Sequence, residues 1–598
     1  AIRAQAPVQD SSMIIYDQIK KKASKHKLTR LLYDAVFVDR PTTVISDKDE
    51  NRTKSNKQKR IDPNSRYAGR IIGKIEIIVY DPFGNNVNDT NTRKINKVQK
   101  LGNRFHLRTR KWVIKNLLLF REEERVDVLE ISESERILRE ARYVADARIR
   151  ISGTKDPDDS VTVKVYVHDR WSWEAAGGVN WPTGGSGILK DQNFGGLGLL
   201  FEQHLSYDFK SLKYEYISRY SVRSISNTYI ASTIYYTSND LKSEGGISLD
   251  RPFYSSLAKW AGGASSIKTW TYVPYIRPDS TPAKHRFEYL NTDLWIARSF
   301  HPVRRHFTLD EKSRNIGVAL RVANTMYQYR PGFEVDTARL NLNSTLFMGS
   351  VGYSVRKYYK DQYIYRFGAN EDIPEGSLVQ IIYGLRMREL NLPKYYLGCE
   401  LSRGQHFTRL GYVSGTISYG SFFNTTEKRE SAMNLGLFYF SDALHLRKWK
   451  VRQFLTYRAV LGFEKRPHEY INIRADEMSG FSTDTLRGTR KMVLSLETVL
   501  YAPYRIIGFT FAPIAIMSFG VLGNGSSTYF DTPIYQSYTT GLLIRNENLV
   551  SSSFQVTVGA YPVRVGDSGQ LFKFNPVTSF TLRFYGFAIS KPSPVVFE

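Results

Sequence analysis

From Trp171 onward, short segments alternate apolar and polar positions and are parted by Gly, Asn, Asp, Ser and Pro. Segments of about ten residues with this period of two are the mark of a membrane β-barrel strand and its turn. Lys491 to Pro503 shows the logic: Met492, Leu494, Leu496, Thr498 and Leu500 share one face, and Val493, Ser495, Glu497 and Val499 share the other. The first set predicts a lipid-facing surface, and Glu497 is placed towards the lumen, where a charge is tolerated. Phe509–Gly520 and Phe580–Ala588 follow the same pattern less cleanly. About nineteen strand-like runs fit it. A soluble sandwich explains any one strand, but not such repetition over more than 400 residues without a separate core domain.

The pattern before Trp171 differs. Residues 1–45 read as an extension with a helix over 13–37, where Ile14, Ile15, Ile19, Leu28, Leu31, Leu32, Ala35 and Val36 form an interrupted apolar stripe. This helix has three possible roles: packing on its own chain, plugging the barrel or recruiting a partner. Residues 46–69 are polar and charged, which predicts a linker. Residues 70–170 predict a small α+β domain. A strand over Ile71 to Val79 is followed by helical patterns around 93–118. A second helix is announced by the capping-box spacing Ser132 to Glu135, and strands follow at Ala147–Ile151 and Val161–Val167. Asp156 to Asp159 supply the turn between those strands. The barrel then occupies 171–598, with an inward loop over 467–490.

Composition narrows the class. Hydrophobic residues make up 41% and no apolar run reaches the length of a membrane helix, while aromatics reach 13%. Barrel strands need only half their residues apolar, so this balance fits a barrel. The net charge of +26 is spread through turns and strand ends with no nucleic-acid module, so contact with anionic lipid headgroups is the expectation and nucleic acid is excluded as a partner. Cys399 is the one cysteine, so neither an internal disulfide nor a cysteine metal site can form. Ala1-Ile2-Arg3-Ala4-Gln5-Ala6 has the small-residue spacing of the end of an export signal.

Four places carry a family resemblance. Leu118-Leu119-Phe120-Arg121-Glu122-Glu123-Glu124, continuing through Ser134 to Val144, resembles the POTRA pattern, with Glu123 where that pattern has glycine. Asp169-Arg170-Trp171-Ser172-Trp173 is similar to the junction between a last POTRA domain and a barrel. Asp191, Asn193, Phe194, Gly196 and Gly198 are similar to the family's early-strand motif. Leu486-Arg487-Gly488, followed by Leu494, Glu497 and Pro503, is similar to its loop-arginine motif and the strand after it. Thr489 replaces the family's aromatic after Arg-Gly, and Ser518 stands where an acid is usual. The chain thus resembles, over about 70–598, the outer-membrane protein-assembly and translocation superfamily of the BamA and TamA type.

The resemblance implies a mainly β fold: a transmembrane antiparallel barrel of sixteen strands behind a periplasmic POTRA-like domain, in the bacterial outer membrane. It also implies client proteins and periplasmic or outer-membrane accessory subunits as partners. Arg487 offers a planar fork of donors and Gly488 a sharp bend, so Leu486, Arg487, Gly488, Glu497 and Ser518 are the expected loop anchor, with a bidentate Arg487–Glu497 pair at its centre. The alternative is an exposed turn arginine. Phe580, Leu582, Phe584 and Gly586 are the expected seam strand, pairing with the strand that begins near Trp171. No enzyme activity, cofactor or metal is expected: Gly566-Asp567-Ser568-Gly569 matches a serine-protease loop only as turn composition, and no His–Asp framework accompanies it. Assembly factor, dedicated two-partner-type secretion pore and passive channel all remain open.

Overall fold

A computed structural model of the protein describes residues 63–597 except 85–86, 88–94, 154–159, 181–183, 277–281, 302–312, 333–335, 337–338, 340, 425–429, 466–468, 482–485, 504, 507–508, 525–532, 547, 550–552, 564–571 and 579–583. The helix expected over 13–37, the Asp156–Asp159 turn and Gly566–Gly569 therefore lie outside the described residues.

The first unit is an α+β domain in which β1 (Ile72–Tyr80) is followed by α1 (Lys97–Phe105), α2 (Lys111–Lys115), α3 (Val128–Glu140), β2 (Val144–Ser152) and β3 (Val161–Asp169). The sheet order is β1-β3-β2, with β1 parallel and β2 antiparallel to the central β3. Central placement explains β3: Val161, Val163, Val165 and Val167 are all buried in one cluster with Ile114, Ile131, Ile137 and Leu138 from the helices and Leu118 from the turn after α2. Asn96 caps α1 in a reciprocal box with Gln99. The capping box expected at Ser132 is not a helix start, because α3 begins a turn earlier on Asp127, whose carboxylate accepts from Leu129 N–H at 2.9 Å. Ser132 bonds back to the Leu129 carbonyl, and Glu135 accepts from Ile149 N–H of β2 instead. Glu123, at the position where the family pattern has glycine, has φ 71°.

The remainder is one large antiparallel sheet of about twenty strands, from Trp173–Asn180 to Phe572–Thr578, each paired with the next in sequence around a barrel. This exceeds sixteen because the polar turns after Trp171 cut the early chain into strands of only 8 to 11 residues, whereas Trp260–Ile276 to Glu371–Arg388 are 16 to 19 residues long. Every described register outside the α+β domain joins successive strands, and none joins the first strand to the last. The period of two holds as expected. In Arg490–Tyr501 the inward residues Lys491, Val493, Val499 and Tyr501 are buried.

The outer surface is apolar over a wide belt. Leu294 and Ile296, Leu320, Val351, Ile381, Leu397, Leu401 and Ile417 project from successive strands, with Ile381 56% and Leu397 54% exposed. A soluble sandwich would cover such residues with a second layer; a contiguous apolar belt needs lipid or a partner. Among the described residues no helix is long and apolar enough to cross a membrane, which leaves crossing by strands untouched.

Candidate functional site

The early-strand residues build the joint between the α+β domain and the barrel. Asp191 stands where the regular pairing of the strand Gly184–Phe194 breaks, and its carboxylate accepts from Asn193 N–H at 2.9 Å. Asn193 is 1% exposed and reaches both ways: its amide donates to Thr109 Oγ1 at 2.9 Å, and its carbonyl oxygen accepts from Gly198 N–H at 2.7 Å. Thr109 is itself held by Asp169, which accepts from its N–H at 2.8 Å and its hydroxyl at 2.9 Å, while His106 Nε2 lies 3.0 Å from the same carboxylate. The turn runs through Gly195, Gly196 and Gly198 with φ of 64°, 72° and 64°, a backbone path that disfavours side chains. A side chain at Gly196 would meet the Arg108 carbonyl, and Gly196 O accepts from Arg110 N–H at 2.9 Å. Phe194 points away and stacks on Phe201. The motif is therefore a fixed joint, assembled from the α+β domain and the first turn of the barrel.

Helix α3 makes the second clamp, which sequence reasoning missed. Arg139 forks onto Asp372 of Glu371–Arg388 at 2.7 and 2.8 Å, and also donates to the Ala147 carbonyl. Burial opposes its charge, but Asp372 and Glu135 outweigh that and raise its pKa. Arg136 pairs with Glu133 and Glu140, donates to the Tyr254 carbonyl, and lies over the Tyr358 ring at 4.4 Å. Burial would raise the Glu135 carboxyl, yet Arg139 and Lys360 reverse this and hold it below the ordinary carboxylate range. Arg223 reaches Glu140 at 2.8 Å, and Tyr229 donates to the Leu118 carbonyl at 2.7 Å while stacking on Tyr254. The available signal was two arginines spaced for one helix face, Arg136 and Arg139, in a helix whose partner surface the sequence does not reveal.

These contacts fall on one end of the barrel, the lower rim. There the segment between Ser344–Asp361 and Glu371–Arg388 turns inward. Glu371 accepts from the N–H groups of Ile364, Tyr365 and Arg366, and the segment bonds Tyr501 and Arg545 on distant strands and the Ala145 carbonyl of β2.

The expected inward loop leaves the upper rim and lies on the inner wall. Ile471, Ile473, Met478 and Phe481 pack with Val460, Val493, Leu522, Tyr535 and Tyr561, and Leu486 packs at the edge of that cluster. Its polar anchor differs from the expected one. Arg487 is exposed and lies over the Tyr470 ring at 4.4 Å. Glu497 does face inward, but it sits in mid-strand opposite Phe454 and Ile516. The strand from Arg490 to Glu497 alone rises about 23 Å, beyond the reach of any arginine side chain. Ser518, 1% exposed, shares a 2.9 Å hydroxyl contact with Ser495 instead.

The anchoring charge is Lys491, which donates to the Asn472 carbonyl and pairs with Glu477, both at 2.9 Å, with the two side chains 0% and 3% exposed. The Ser479 carbonyl accepts from Ser537 and Tyr561. Gly488 pairs with Ile471 in both directions, and a side chain there would press on the Gly523 carbonyl at 2.8 Å. Lys491 was visible in the sequence as a charge on the same face as Glu497; its partner was not.

The seam expectation is also corrected. Phe580 and Leu582 lie outside the described residues, and Phe584 and Gly586 are not in a strand. Phe584 sits inside the barrel among Tyr365, Tyr412, Phe438 and Phe440, because this aromatic cluster offers more burial than a lipid-facing edge. The Trp171 junction instead meets the segment after Tyr535–Arg545, with Trp171 N–H donating to the Asn548 carbonyl at 2.8 Å.

No family model and no curated protein matches the chain. Among solved structures it is similar to BamA from Haemophilus ducreyi lacking POTRA domains 1–3, at 11% identity and TM-score 0.36 over 84% of each chain. It is also similar to CdiB from Escherichia coli, at 10% identity and TM-score 0.39 over 96% of this chain and 98% of that one. CdiB from Acinetobacter baumannii gives 10% identity and TM-score 0.37 over 95% and 99%.

Proposed function

We propose that this chain is a bacterial outer-membrane barrel that inserts or translocates client polypeptides, with its α+β domain a POTRA-like unit on the periplasmic rim. The observation that carries the reading is the pairing of an outward apolar belt with a domain clamped to one rim through Asn193, Arg136 and Arg139. A passive pore needs no such attachment. In this reading the domain receives the client by strand addition to a sheet edge. The outer edge of β2 is already filled: Ala147 O, Ile149 N and O, and Ile151 N are bonded by Arg139, Glu135 and Asn64. In this reading the entry point is the other edge strand, β1, beyond Ile75, whose N–H is bonded by Glu122. The client's strands are then templated at the barrel seam, beside the strand Trp173–Asn180.

A second reading, a dedicated secretion pore, is favoured by the segment from Phe584, which lies inside the barrel and not in its wall, since an interior that holds one polypeptide segment has the dimensions for another. Depletion followed by quantitative proteomics of membrane and secreted fractions separates the two. A broad fall in β-barrel proteins supports assembly, and loss of one or a few secreted proteins supports secretion. No change in either fraction refutes both.

A further inference from the structure

The segment Phe584–Phe597 crosses the barrel interior outside any strand, with a left-handed kink at Phe587 (φ 49°). It starts at the lower rim, where Phe584 meets Tyr365 and Phe440. Phe587, 0% exposed, and Ile589 come next, and then Lys591 pairs with Asp293 at 2.9 Å. It ends at the upper rim, where Phe597 lies 4.3 Å from Lys465 Nζ. At about 3.3 Å per residue, such a segment is long enough to traverse a bilayer core.

The wall beneath it is shaped for it. Gly317, Gly404 and Gly462 stand on three different strands, and a methyl group on any of them would overlap Ile589, Phe587 or Phe597 respectively. Gly352 gives Ile589 the rest of its space. The wall also grips the backbone. Ser354 donates to the Phe587 carbonyl, Arg321 to the Pro592 carbonyl at 3.0 Å, and Asn434 to the Val596 carbonyl at 2.9 Å, while Tyr396 OH accepts from Val595 N–H at 2.8 Å. Four bonds to main-chain atoms do not depend on the bound sequence; the glycine-floored spaces do.

We propose that Phe584–Phe597 is a resident strap that closes the interior, and that the wall under it is a track for an extended polypeptide bearing large apolar side chains. The strap holds the track in the resting barrel, and a chain entering the interior must displace it. The proposal is independent of which client the barrel serves, because it is tested on the purified barrel.

The test uses a fluorescent peptide of residues 584–598. It is expected to bind a barrel lacking 584–598 at least tenfold more tightly than the full-length chain, where the track is filled, and its Phe587→Ala form is expected to bind at least tenfold more weakly. Equal binding to both barrels, or none to the shortened one, overturns the track. A second measurement needs no truncation. In a Cys399→Ser background, Ser593→Cys is labelled with a bulky maleimide. Labelling is expected to be slow, to quicken at least tenfold with Gly317→Val, and to slow again in Gly317→Val with Ile589→Ala. Fast labelling without the Gly317 change overturns the strap.

Discussion

The buried Lys491–Glu477 pair holds the inward loop, and its removal is the sharpest test of how the interior is organised. Both side chains are essentially inaccessible, and Lys491 also satisfies the Asn472 carbonyl, so Lys491→Met strands a carboxylate and a carbonyl on the inner wall. Leaving one member of a buried pair unpaired costs about 3–5 kcal/mol. The loop escapes part of that cost by lifting off, which exposes Arg474, already at its surface, to protease in an open conformation. With opening fast relative to cutting, cleavage follows the open population, and about 3 kcal/mol corresponds to roughly a hundredfold. Trypsin cleavage after Arg474, followed by mass spectrometry of the folded barrel, should therefore rise on the order of 10²-fold in Lys491→Met. Adding Glu477→Gln should recover part of that loss, since the stranded charge is gone. Cleavage of Lys491→Met at the unsubstituted rate would refute the anchoring role and return the question to Arg487.

Four other outcomes follow from named contacts. Arg487→Ala removes one exposed cation–π contact, about 0.5–1 kcal/mol, and should raise the same cleavage less than about tenfold, whereas Gly488→Ala, pressed against Gly523, should exceed it. Glu123→Gly relieves a left-handed residue and should stabilise the α+β domain by about 1 kcal/mol, read as slower hydrogen exchange across β1. Arg139→Met leaves Asp372 and Glu135 without their shared cation; it should cost about 3–5 kcal/mol of docking and appear as hydrogen exchange in α3 and in the Asp361–Glu371 segment, while Arg150→Met, exposed on β2 and lying over Tyr166 of the same domain, should not. Burial holds the His168 pKa below the ordinary imidazole value. The unfolded domain therefore binds the proton first, and its stability should be full above about pH 6.5 and fall as pH drops through the lower folded value. His168→Gln should flatten that part of the urea-denaturation profile.

Alternation along the chain by itself determined much of this protein. A period of two needs only neighbouring residues, so the inward position of Glu497, the outward face of Met492, Leu494 and Leu496, and the α+β character of 70–170 were all legible. Asp191, Asn193 and the glycines after them were legible only through the family resemblance; that the glycines form a left-handed turn is what the structure adds. What the alternation cannot carry is which inward groups meet across the interior. Lys491 finds Glu477 rather than Glu497 finding Arg487, because docking of the loop, not its sequence spacing, sets the distances. Arg139 meets Asp372 across more than two hundred residues, and no local pattern in either segment announces the other. The segment from Phe584 shows the limit most plainly: it reads as a strand of the wall, yet it lies against the inside. A row of aromatic and aliphatic residues satisfies either place, and only the glycine-floored track and its backbone donors, contributed by strands far apart in sequence, decide between them.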